Sequence, residues 1–478
     1  MNINHLIIGI SEDGPDGQIY KPTDIVDSKE TYGWWNRSWN NLTSISSSIT
    51  LGYNVWDDRF LIYKTYSNKL ISAPLFNPSV SGNILTFGAP GSSGLYLVKY
   101  AKEPITNDLI FSYITSVLQG SNCWVCRYPG VKSNIILGDL TLEARNSGGV
   151  FNNVTVSTTG STVKIYWNRE NTATTCYTYS SSSTTLAQDI NQDFYYQKHP
   201  FKAKCYSTSP TIPTGNYLTS GGTTGTYTSS GFLSLLDTLD LENVGVLQIA
   251  GGCELSVYTT ILDYLSDNNI ENIVVISGTP VSYIDTYTSD DYIDYIQGLT
   301  ETSKQGIYVT GWGQTRNNPE ISSGWTSLCD ILPSVLVTNN TPVNKRTLLT
   351  DYTPEWSKEQ LDVLKSNYSV FNRFIGSGIS CYSSNNLFGN DVLFVKSKLE
   401  VLSLLVDILD KYVGNNLINY QLLNKEVEEA LSKMTNVKDL GFTIEVLKDL
   451  ITINISYGIY GQIEDINLSL STRNSTSV

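Results

Sequence analysis

Two histidines, seven cysteines and forty-five carboxylates are the reactive side chains of a chain of 478 residues. "CWVC" (Cys123 to Cys126) has the spacing of a metal or redox pair. A zinc site needs a second close pair, and Cys176 and Cys205 stand far apart. A thioredoxin-like motif needs a strand before it and a helix after it, whereas "YPG", a turn, follows here. The two cysteines are therefore expected to be buried small side chains in a β-segment. "AGGCELS" follows an apolar run and offers Cys253 as a nucleophile, which would need a basic partner. His5 and His199 both fall outside the α/β region that the pattern predicts beyond about residue 230, so a Cys-His or Ser-His-Asp site there would have to borrow one. A histidine metal site is equally starved. "SGGTTG" (220–225) lacks the Gly-Lys-Ser/Thr ending of a phosphate loop and is not GxGxxG; it reads as a flexible linker. The carboxylates of "TSDDYIDY" and "EVEEAL" lie on helical patterns and read as solvated faces. No catalytic, cofactor or metal site is expected. A hydrolase using the α/β region is the main alternative, tested at Cys253 or Asp263.

Residues 1–100 alternate short strands with turn clusters such as "GPDG". One helix start, "DIVDSKETYG", has Ser28 as its expected cap and Gly33 as its stop. Residues 101–225 are the most β-like, with a hairpin about Thr159-Gly160 in "NVTVSTTGSTVKIYW". From about 230 the period changes. "VGVLQIAG", "NIVVISG" and "GIYVTGW" read as buried strands, and the segments between them as helices, which implies βαβ units and a parallel sheet. A long helix follows in 391–414, with Val401, Leu405, Ile408, Leu409 and Tyr412 on one face, Lys411 near its end and Gly414 as its cap. "YQLLNKEVEEALSKM" is amphipathic, with Leu423, Val427, Ala430, Leu431 and Met434 together. "ITINISYGI" and "EDINLSLS" alternate as strands.

Charged residues are 16% of the chain against a usual ~25%, and the 31 tyrosines with abundant Ser, Thr and Asn make a polar, weakly charged surface. That surface suits a protein in contact with other proteins. A net charge of −14 with no Lys/Arg run argues against nucleic acid. "MNINHLIIGI" lacks a basic n-region, and no apolar run reaches the roughly 18–20 residues of a membrane helix, so the chain reads as soluble and made in a cytoplasm, with no membrane partner.

Residues 6–33, "LIIGISEDGPDGQIYKPTDIVDSKETYG", resemble the start of the contractile phage tail sheath core: an apolar strand into Gly14-Pro15, an extended piece to Pro22, then a Ser28 helix start ending at Tyr32-Gly33. "YPGVKSNIILGDLTLEARNSGGVFNNVTVSTTGSTVKIYW" is similar to the small sheath β-domain. The order from about 230 to 414 resembles the family's subtilisin-like α/β domain, which carries no triad, and 391–450 its C-terminal part. The resemblance implies an α+β multidomain protein: a β-rich sheath core part at 1–100, a small outward-facing β-domain at 101–225, a subtilisin-like doubly wound domain at 226–390, and a C-terminal sheath domain with a terminal strand arm at 391–478. It implies a structural subunit, not an enzyme, that stacks as hexameric rings around a tail tube and contracts to drive that tube through the host envelope. The implied partners are further copies of the chain, the tail tube protein, and baseplate and terminator proteins. The implied place is the virion, with assembly in the host cytoplasm. The helix residues Lys425, Glu426, Glu429 and Lys433 are expected to face the tube. Only "MNIN" precedes the first strand, where this family carries an arm, so the C-terminal strand with Ile466, Leu468 and Leu470 on one face is expected to be the principal inter-subunit tether. A β-rich surface or adhesin-like binding protein is the remaining alternative.

Overall fold

The apolar run "LIIG" lies inside a sheet that draws strands from three quarters of the chain. The computed structural model describes residues within 4–459; the stretches 73–78, 87–93, 103–108, 168–174, 278–287, 298–304, 316–324, 339–346, 385–396 and 413–419, with shorter breaks, lie outside the description, as do 1–3 and 460–478. Eight strands form the central sheet: β1 (His5–Gly9), β2 (Ile19–Tyr20), β3 (Cys123–Arg127), β4 (Val246–Ile249), β5 (Ile273–Ser277), β6 (Gly306–Val309), β7 (Ser369–Phe374) and β8 (Gly378–Ser384). Their order is β2-β3-β1-β4-β5-β6-β7-β8. The six inner strands are parallel, and the edge strands β2 and β8 run antiparallel to their neighbours.

Parallel strands covered on both faces read as continuous apolar runs, and β1, β4, β5 and β6 are buried at every position. Alternation still sorts the side chains. Leu6 and Ile8 pack with Phe232, Leu236, Tyr258 and Leu262 on one face. Ile7 packs with Ile110, Phe111 and Ile114 of the helix Leu109–Leu118 on the other. Leu6, Ile7 and Ile8 are fully buried, a contribution of about 1.5–3 kcal/mol each.

Sequence order does not follow this division. The expected parts 1–100, 101–225 and 226–390 each supply strands to the one sheet, because β1, β3 and β4 are neighbours. Two β-units leave the sheet and return to it before β4. Residues 35–102 carry a four-stranded and a three-stranded sheet around Ile49, Leu51, Ile62, Leu85, Tyr96 and Val98. The second, a small β-domain beyond β3, pairs strands Lys132–Leu137, Leu140–Ser147 and Phe201–Cys205 in one sheet. Its other sheet orders Thr175–Ser180, Thr162–Trp167, Thr155–Thr158 and Gly215–Leu218. Both sheets and the helix Leu186–Tyr195 close over Leu142, Phe151, Val156, Ile165, Trp167 and Phe201. The hairpin at Thr159-Gly160 is present, with Val156 opposite Ile165.

Two local expectations are corrected. Ser28 lies inside the helix Ile25–Tyr32, with its hydroxyl on the Ile25 carbonyl, and the capping side chain is Asp24, which accepts from the Asp27 amide at 2.8 Å. "SGGTTG" is not a loose linker: Ser220 pairs with Asn134 and Thr223 with Val131. Gly33, Leu409 and Gly414 lie outside the described residues.

At the C-terminal end, the helix Tyr420–Leu431 turns Leu423, Val427, Ala430 and Leu431 inward, against Val401, Leu405 and Ile408 of the preceding helical segment. Ile444 of the strand Val437–Leu447 completes this cluster, and that strand pairs antiparallel with Leu450–Ile459 as a two-stranded sheet. Among the described residues, no helix is long and apolar enough to cross a membrane.

Candidate functional site

In open parallel sheets, ligands bind at the carboxyl ends of strands where the winding reverses. Here the chain passes from β1 to β3 on one side and later to β4 on the other, so that place lies beyond Gly9 and Ala250. It is filled. A Cβ at Gly9 would lie 2.8 Å from the Leu109 Cα and 2.9 Å from the Ala250 Cβ, so only glycine lets the Leu109–Leu118 helix start there. The Leu109 amide donates to the Ile10 carbonyl at 2.8 Å. Beyond β4, Gly251 and Gly252 take φ of 68° and 78°, and the Gly251 amide donates to the Asp330 carboxylate at 3.0 and 3.2 Å.

Asp330 ends a short 3-10 turn, Leu328–Asp330, and is fully buried. It also accepts from Ser112 Oγ at 2.9 Å and from Gln248 Nε2 at 2.8 Å. The carboxylate only accepts, so the Gln248 amide must turn its NH2 toward Asp330 and its oxygen toward His5. His5 Nε2 then donates to Gln248 Oε1 at 2.8 Å, and Nδ1 accepts from Ser121 Oγ at 3.0 Å. The result is a directed chain, Ser121 to His5 to Gln248 to Asp330, without solvent exposure at its last three members. Burial lowers the His5 pKa to about 4 against the opposing pull of the Gln248 bond, so the ring is neutral at pH 7.

His5 therefore belongs to the α/β sheet, contrary to the sequence expectation; β1 joins β4 through a pairing 240 residues long, which periodicity does not report. It does not meet Cys253. His5 shares the face of Ile7, whereas Cys253 packs in the cluster of Leu6 and Ile8 beside Tyr258. Burial pushes the Cys253 thiol well up, away from the thiolate a nucleophile needs, and Asp263 is exposed on the helix Leu255–Asp267. Cys123 and Cys126 are one strand, β3, and their spacing puts the sulfurs on opposite faces of the sheet, where burial pushes each thiol up to about 12. Such a pair cannot close on one ion. Among the described residues, no group of three His, Cys, Asp or Glu side chains is placed to hold a metal. His199 lies in the small β-domain, donating from Nε2 to the Tyr179 oxygen at 2.9 Å while Tyr179 donates to Asp193 at 2.9 Å. Burial lowers its pKa to about 4, opposed by Asp193 and reinforced by Arg145 and Lys198.

No family model and no curated protein matches the sequence. Shape does find matches. A sheath tail protein from Listeria innocua aligns with a TM-score of 0.52 at 10% identity, over 95% of this chain and 94% of that one. The chain has the fold of a sheath tail protein. A sheath tail protein from Desulfitobacterium hafniense aligns over 96% of this chain and 97% of that one, with a TM-score of 0.49 and 10% identity.

On this sheath-tail fold, the candidate residues fall at the C-terminal end. Lys425 and Glu429 lie exposed on the helix Tyr420–Leu431, with Lys425 Nζ 3.6 Å from Glu429 Oε1. Glu426 turns toward Lys411, at 3.5 Å, and Lys433 is exposed just past the helix. The structure thus separates the four into an outward group and Glu426, which bridges to the preceding segment. Ile466, Leu468 and Leu470 lie outside the described residues. Sequence reading missed Gln248, Asp330 and Arg127. Their signal was a polar residue inside or just after an apolar run: "VLQI", "LCDIL" and "WVCR".

Proposed function

We propose that the chain is a structural subunit of a contractile phage tail sheath, and that it catalyses no reaction. Correspondence with a sheath tail protein along almost the whole of both chains carries this reading. In it, copies stack as hexameric rings around a tail tube and contract to drive the tube through the host envelope, bounded by baseplate and terminator proteins in the virion. Residues 226–390 act as the family's subtilisin-like domain, with the crevice beyond β1 and β4 plugged by Leu109 rather than open to a substrate.

The two-stranded sheet of Val437–Leu447 and Leu450–Ile459 supports an assembly role. Two strands are marginal alone, and the helix Tyr420–Leu431 covers this pair through Ile444. A further strand added at its edge would complete a sheet. We assign that place to the C-terminal strand of a neighbouring copy, through Ile466, Leu468 and Leu470. The outward residues Lys425, Glu429 and Lys433 then face the tube.

The test is expression of the full chain followed by negative-stain microscopy, with and without a co-expressed tube protein. Striated tubes or stacked rings are expected. Deleting residues 463–478 should leave a soluble, cooperatively melting monomer that forms neither. A full chain that stays monomeric with its tube protein present sinks the sheath reading; a deletion that still assembles places the tether elsewhere.

A further inference from the structure

The chain crosses between the α/β body and the small β-domain twice, at 128–131 and at 219–225, and both crossings are fixed. The Val131 amide donates to the Thr223 carbonyl at 3.1 Å, and the Val131 carbonyl accepts from the Thr223 amide at 2.9 Å. Ser220 and Asn134 exchange the same pair of bonds at 2.9 and 3.1 Å. Asn152 grips the backbone of Gly222 from both sides, at 2.8 Å each. At Gly130 a Cβ would meet the Thr223 carbonyl oxygen at 2.1 Å, so the two crossings touch backbone to backbone.

A single guanidinium stands where they meet. Arg127, the last residue of β3, is fully buried. Its Nε donates to the Ser11 carbonyl at 2.9 Å, and Nη1 donates to the Gly14 carbonyl at 3.0 Å and to Asp16 Oδ1 at 2.8 Å. From Nη2 a bond runs to the carbonyl of Ser147, which ends a strand of the small domain, at 2.8 Å. Asp16 accepts from the Ser147 amide at 2.7 Å and from its hydroxyl at 2.8 Å, and that hydroxyl accepts from the Gly130 amide at 2.8 Å. Gly148, with φ of 117°, brings its backbone so close that a Cβ would lie 2.2 Å from the Glu12 carbonyl oxygen and 2.8 Å from Arg127 Nη2. The acid-rich loop "SEDGPDG" thus encloses a cation supplied by the chain itself. Burying a guanidinium costs several kcal/mol unless its fork is filled, and here each nitrogen has an acceptor.

We infer that this junction is a lock and not a hinge: Arg127 and Asp16 fasten the small β-domain to the α/β body, so that the two turn as one rigid piece. The inference is independent of the sheath reading, since it concerns one copy of the chain. Two amides report it: Gly130 and Ser147, which donate across the junction to Ser147 Oγ and Asp16 Oδ2.

Hydrogen exchange on the full-length monomer provides the test. In the wild type these amides should exchange at least about a hundredfold slower than open loops. In Arg127→Met both should lose about tenfold or more together, while β4, β5 and the Thr162–Trp167 strand keep their protection. Gly148→Ala, which leaves the charges and spreads the contact, should show the same pattern and serves if the first variant does not fold. Wild-type junction amides that exchange like loops overturn the lock. So does retained protection in both variants, or loss of protection throughout the chain in both, which would make the junction part of one common core.

Discussion

The central sheet and the C-terminal hairpin solve the problem of strand edges in opposite ways. The sheet is packed within the chain: helices cover both faces, and its ends are the antiparallel strands β2, only two residues long, and β8. A fully bonded polar chain from His5 to Asp330 then rivets its middle. The pair Val437–Leu447 and Leu450–Ile459 shares its apolar cluster with the helix Tyr420–Leu431 and the segment before it, and no third strand pairs with it among the described residues. One region holds its stability in contacts already made, whereas the other, in the sheath proposal, is completed by a strand of a neighbouring copy. The proposed sheath subunit would need both, a body that does not deform and an edge that is completed by assembly.

Breaking the packed region should cost the most. Asp330→Ala strands the Gln248, Ser112 and Gly251 donors in a dry interior, and should destabilise by roughly 3–5 kcal/mol in denaturant unfolding of the monomer. A loss under about 1 kcal/mol would show that the polar chain is not what rivets the sheet.

Acid should act on the same region and on the small β-domain. His5 and His199 each fall from an ordinary 6.5 to about 4 on folding, because burial opposes the charged ring. The unfolded chain therefore binds more protons between these values, and stability is fully present above pH 6.5 and lost as pH falls toward 4. Each ring contributes roughly 3 kcal/mol at most. His5→Asn should flatten part of this slope in melts measured from pH 7.5 to 4; an unchanged slope would remove His5 as a cause.

The smallest effect on folding belongs to the hairpin's helix. Reversing Lys425 and Lys433 to Glu breaks one exposed pair at 3.6 Å, worth no more than about 0.5 kcal/mol. Monomer stability should barely change, while tube-templated assembly should weaken and become more sensitive to salt. Equal assembly at low and high salt would detach these lysines from the tube-facing role.

Local pattern carried much of the fold. Strands β4, β5 and β6 stand within the runs marked by "VGVLQIAG", "NIVVISG" and "GIYVTGW", because a strand buried on both faces must be apolar at nearly every position. The inward face of Tyr420–Leu431 followed from helical spacing, and the Thr159-Gly160 hairpin from its turn residues. Scarcity of histidine also limited the chemistry available, whatever the fold. Tertiary structure decided the rest. Pairing of β1 with β4 brings His5 to Gln248, and β3 delivers Arg127 to a loop more than a hundred residues earlier. A polar residue in or after an apolar run marks Gln248 and Arg127 as buried but not what each meets, since a buried polar residue is satisfied by whatever the chain's path brings to it. Sequence alone determined which segments must be buried and how each one alternates; only their assembly in space determined which polar groups meet, because hydrogen bonding of a buried charge is a property of the whole enclosure and not of any local run.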